Sequence, residues 1–89
     1  MGIVVRPPEA GESGEAAGWP IWTCAPSSFE WNYDSRERCL ILEGEAVVES
    51  ESLAQPVRFG AGDWVVFPKG LSCRWTVLKA VRKHYAFGD

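Results

Sequence analysis

Histidine is almost missing from this chain, with one residue, His84, in 89. A single histidine near the end of the chain leaves no sequence support for a Ser-His-Asp or Cys-His nucleophile, and nucleophilic hydrolysis is a poor expectation. Cysteine is scarce too. Cys24, Cys39 and Cys73 are odd in number and widely spaced, which fits neither a secreted disulfide framework nor a CxxC zinc site. They read as reduced, mostly buried small apolar residues. No apolar run approaches the ~20 residues of a membrane-spanning helix, and the start of the chain lacks the basic and apolar regions of a signal peptide, so a cytoplasmic protein is expected. Cationic excess is lacking as well. Nine basic and twelve acidic side chains, intermixed for a formal charge of −3, offer no broad surface to nucleic acid or anionic lipid, and neither is expected as a partner.

What the chain has in quantity is apolar and aromatic volume. Hydrophobic residues make up 46% and tryptophans number five, enough for one compact core in a chain too short for two. Ile3 to Val5 has the makings of a short strand. Residues 6–18 are rich in Pro, Glu, Gly and Ala without a hydrophobic period and read as a loop or mobile arm. The expected division is therefore an arm or edge strand plus loop over 1–18 and a folded barrel over 19–89. From Trp19 onward the texture is all-β: short runs at Ile21–Cys24, Phe29–Asp34, Arg38–Glu43, Glu45–Glu51, Gln55–Phe59, Trp64–Phe67, Leu71–Val77 and Val81–Phe87, separated by turn residues. Strands so short and numerous need a closed barrel or a two-sheet sandwich to hide their edges.

Two glycine-punctuated blocks are the most specific features. Glu37, six residues and Gly44 fit the second half of the pattern G-x5-H-x-H-x3,4-E-x6-G, with Trp31 and Tyr33 where its histidines stand and Ala25 on its first glycine. Gly62, Pro68 and Gly70 fit G-x5-P-x-G-x2-H-x3-N without a gap, with Cys73 on its histidine and Val77 on its asparagine. On these residues the chain resembles the cupins, small jelly-roll β-barrels. The wider pattern of Trp22, Phe29 to Asp34, Leu42 to Gly44, Gly62 to Gly70, Trp75 and Lys83-x-Tyr85 is similar to the single-domain cupins grouped with the cupin part of ureidoglycine aminohydrolase. The resemblance implies a single-domain jelly-roll barrel and a homodimer. Of the family's four metal ligands it leaves only Glu37.

Strand alternation then states which side chains share the interior. With Glu37 inward, Cys39 and Ile41 follow; with Trp31 inward, so does Tyr33; Cys73, Trp75 and Val77 share one face. Trp31, Tyr33, Glu37, Cys39, Cys73 and Trp75 therefore form the candidate ligand-binding set, an apolar concavity with few polar groups. The same residues would also serve as a filled core. Glu37, Cys39 and Cys73 as three metal ligands match no common donor set, so no metal and no cofactor are expected. His84 faces away from Lys83 and Tyr85 and reads as an exposed or edge histidine. The expected function is a cupin module that binds a small organic molecule in the barrel or serves as a dimeric structural unit. The alternative is an enzyme of ureidoglycine aminohydrolase or isomerase type, with Glu37 and Tyr33, and Lys83 as a further candidate, in proton transfer or holding an atypical metal; whether the protein is an enzyme stays open.

Overall fold

The computed structural model describes residues 2–88. Period-two alternation of apolar and polar residues sets up seven strands: β1 (Val4–Arg6), β2 (Ile21–Cys24), β3 (Ser27–Asn32), β4 (Glu37–Glu49), β5 (Val57–Gly60), β6 (Trp64–Phe67) and β7 (Ser72–Phe87). One short helix, α1 (Glu12–Ala16), lies between β1 and β2. Pairing is antiparallel in the order β1-β6-β4-β7-β2, with β3 added to β7 and β5 to β4. The fold is an all-β, antiparallel jelly-roll barrel.

The long strands β4 and β7 form its spine. The first half of β4 pairs with β6 and with the second half of β7, which also carries β2. The second half of β4 pairs with β5 and with the first half of β7, which carries β3. One ribbon therefore supplies both walls of the barrel, and its ladder shifts register between Ile41 and Ala46. Gly44 sits in that stretch with φ +95°, and a Cβ there would fall on the carbonyl of Ala80, so the bend needs glycine at this position. This corrects the sequence reading, which broke the chain at Gly44. The runs on either side are one strand bent by bulges, and Leu71–Val77 and Val81–Phe87 likewise fuse into β7.

The interior follows the expected parity. Glu37, Cys39 and Ile41 are buried while Arg38 and Leu40 are not fully so, and Cys73, Trp75 and Val77 alternate with more exposed neighbours. They join Tyr33, Phe59, Val65, Phe67, Leu71 and others in the main core.

A second, smaller core lies outside the barrel wall. β6 is buried on both faces: Val65 and Phe67 belong to the main core, Trp64 and Val66 to a cluster with Ala16 of α1, against which Trp19 and Leu40 pack. Residues 6–18 are thus not a free loop: β1 pairs with β6 and α1 covers Trp64. Arg6 clamps Glu12 with two bonds of 2.7 and 2.8 Å, and the Arg38 guanidinium lies 4.9 Å from the Trp19 ring centroid. A five-residue helix is too short to display a 3.6-residue period, and tertiary packing is what holds it.

Candidate functional site

A cavity of about 160 Å³ opens in the barrel, lined by Trp22, Phe29, Trp31, Tyr33, Glu37, Trp75, Lys83, Tyr85 and Phe87. Seven of these nine side chains are aromatic, so the walls are ring faces and edges. β2 and β3 bring Trp22, Phe29 and Trp31, β7 brings Trp75 to Phe87, and Glu37 begins β4. Phe29 stacks on Trp75 at 5.9 Å between centroids and Trp22 meets Trp75 edge-on at 5.7 Å, a rigid arrangement of ring contacts. Trp31 and Phe87, 46% and 49% exposed, stand at the mouth.

The two charged members are buried, as are Tyr33 and Trp75 beside them. Glu37 is 3% exposed and Lys83 4%, and Lys83 Nζ donates to Glu37 Oε2 at 2.9 Å. The same ammonium lies 4.7 Å from the ring centroids of both Trp22 and Trp75, within cation–π range. Lys83 comes to this place because the β4–β7 register sets it opposite Ile41, on the inward parity shared with Val81 and Tyr85. Beside the pair, Trp75 Nε1 donates to the Tyr33 hydroxyl oxygen at 3.2 Å. Burial, with the negative charge of Glu37 adding to it, pushes the Tyr33 phenol far up from its usual range, so its proton stays on and is available to donate.

Of the six residues the sequence assigns to a ligand, four line the cavity: Trp31, Tyr33, Glu37 and Trp75. Cys39 and Cys73 do not. Cys39 is fully buried and its thiol points to the Val65 carbonyl at 3.6 Å; the Cys73 thiol points to the Trp31 carbonyl at 3.5 Å. Inward parity puts both in the packed wall, away from the open part of the barrel. Burial raises the Cys39 thiol to about 12 and the Cys73 thiol to about 11, so both are protonated at neutral pH. Lys83 entered the sequence reading only in its alternative, and Trp22, Phe29, Tyr85 and Phe87 were not assigned to the site. The spacing Lys83-x-Tyr85-x-Phe87 was the available signal, since alternation puts all three on one face. His84 lies on the other face, where its Nδ1 and the Trp19 carbonyl are 2.9 Å apart.

The metal that cupins commonly carry does not fit these residues. The positions matching its histidines hold an exposed indole, a buried phenol and a thiol bonded to a carbonyl, and the one carboxylate is held by Lys83. Among the described residues no group of three His, Cys, Asp or Glu side chains is placed to hold a metal ion. No helix among them is long and apolar enough to cross a membrane.

Residues 11–85 match the family model of the EutQ-like cupin domain. Among solved structures, a DUF861-family protein of Thermotoga maritima is 42% identical, with a TM-score of 0.90 over 98% of this chain and 100% of that one. A Salmonella typhimurium protein described as ethanolamine utilization protein Q is 28% identical, with a TM-score of 0.67 over 75% of this chain and 53% of that one. The Clostridium difficile EutQ protein, at 18% identity and a TM-score of 0.69 over 96% of this chain and 68% of that one, is alike in fold alone. No curated protein matches the chain.

Proposed function

The chain belongs to the EutQ-like cupin family, and from that premise we propose that it is a binding module taking a small, flat organic molecule into its barrel. One observation carries this reading: a cavity of about 160 Å³ lined by seven aromatic side chains and one buried ion pair. Concave, apolar sites with a few placed polar groups are the usual form of small-molecule pockets. The size suits a ligand of one ring, since a cavity of roughly 150 Å³ is enough for benzene.

Proton-transfer chemistry of ureidoglycine aminohydrolase or isomerase type draws less support. One oxygen of Glu37 is engaged by Lys83, the Tyr33 phenol is held protonated, and the family match carries no activity of that kind. A homodimer in the cytoplasm is part of the proposal. Its support is that β1 and β2 are each paired on one side alone among the described residues and carry the exposed side chains Val4 and Ile21. Light scattering on the purified protein reads the oligomeric state.

The binding reading is tested by titrating a panel of single-ring fragments against intrinsic tryptophan fluorescence, with calorimetry on any hit. Saturable binding is expected, weakened roughly tenfold in Trp31→Ala by loss of one aromatic contact at the mouth. A panel that gives no saturable response in the wild-type protein would overturn the proposal.

A further inference from the structure

Resting on the binding reading above, we propose a ligand class: a neutral, planar carboxamide or lactam, in preference to any carboxylate or amine. The cavity holds two charges and they cancel. Lys83 and Glu37, with side chains 5% and 3% exposed, are joined at 2.9 Å, and every other lining residue is aromatic. The ammonium is enclosed further by two indole faces at 4.7 Å. An anion entering this space would have to take Lys83 away from Glu37, and a buried carboxylate deprived of its partner is costly. A cation would have to take Glu37 from Lys83, with the mirror-image cost. A neutral ligand leaves the pair intact.

The polar capacity that remains selects among neutral groups. Glu37 uses Oε2 for Lys83, and its other oxygen accepts no hydrogen bond among the described residues. No side-chain nitrogen or oxygen among them is both buried from solvent and unpartnered, so that second oxygen keeps some solvent access, on a residue that lines the cavity. The Tyr33 oxygen accepts from Trp75, and the phenol proton, firmly held, has no acceptor among the described residues. The cavity thus offers one strong acceptor and one donor, and a carboxamide is the smallest neutral group that presents an N–H and a C=O side by side. The flatness follows from the lining: apart from the ion pair it is aromatic throughout, which suits packing against a ring, and the volume accommodates about one.

Three molecules of nearly equal shape separate the charge classes: benzamide, benzoate and benzamidinium, titrated into the ¹⁵N-labelled full chain with the Trp75 indole N–H as reporter. The expected result is saturable movement of that resonance with benzamide and affinities at least tenfold weaker for the two ions. Lys83→Met is expected to turn the preference toward benzamidinium and Glu37→Gln toward benzoate. Benzoate or benzamidinium binding the wild type as tightly as benzamide overturns the ligand class and leaves the binding module standing, as does benzamide failing where another fragment of the panel binds. Only silence from the whole panel overturns the module as well. The wild-type series decides the class even where a variant does not fold.

Discussion

At the scale of single residues, the Glu37–Lys83 pair is the unusual feature, because two charges buried together gain Coulomb energy that barely offsets their desolvation. Removing one partner is a different matter. Lys83→Met leaves a carboxylate among aromatic rings and is expected to cost about 3–5 kcal/mol in urea denaturation, whereas Lys83→Met with Glu37→Leu should return to wild-type stability or above. Additive losses in the double variant would mean that the two side chains act independently. Glu37 was legible in the sequence from its spacing to Gly44 and from strand parity. Its pairing with Lys83 was not, because alternation puts Lys83 on a face with Tyr85 and Phe87 but no local pattern says that it will lie opposite Ile41; that follows from pairing of strands distant in the chain. The cysteines show the converse limit: parity gave their inward direction, but only packing could tell wall from cavity.

At the scale of elements, local periodicity reached the strands and failed at their junctions. Gly44 reads as a turn by composition, yet its positive φ serves a bulge within β4. α1 was invisible because its docking depends on one apolar residue, Ala16, and on the Arg6–Glu12 clamp. That clamp gives the element a pH dependence. The Arg6 guanidinium, by direct hydrogen bonding, and the Glu9 backbone hold the Glu12 carboxyl down from the ordinary 4.5 to about 2. A carboxyl depressed in the folded state stabilises it fully above its unfolded value, and the contribution fades as pH falls through the folded one. Docking of α1 should therefore weaken between about pH 4.5 and pH 2, read as a change in hydrogen exchange of residues 12–17. In Glu12→Gln that window should flatten; an unchanged acid profile would place the titration elsewhere.

At the scale of the molecule, the β4–β7 ribbon ties both walls together, and its pairings join residues far apart in sequence, from Glu37 with Phe87 to Glu49 with Arg74. The family resemblance made this architecture readable from the two glycine blocks before any register was known, whereas periodicity alone left a choice between barrel and sandwich. Non-local pairing must be closed before it is rewarded, so the chain is expected to fold in milliseconds to seconds. Val48 is fully buried where β4 meets Trp75 of β7 and Val57 of β5. If the ribbon forms in the transition state, Val48→Ala, at a cost on the order of 2 kcal/mol, should mainly slow folding. Ala16→Gly weakens an element added outside the finished wall. It should cost about 1 kcal/mol and raise the unfolding rate about fivefold with folding unchanged. Stopped-flow measurements on both variants decide the order: a folding rate slowed by Ala16→Gly as much as by Val48→Ala would mean that the outer cluster of α1, Trp19 and Trp64 assembles with the barrel, and not after it.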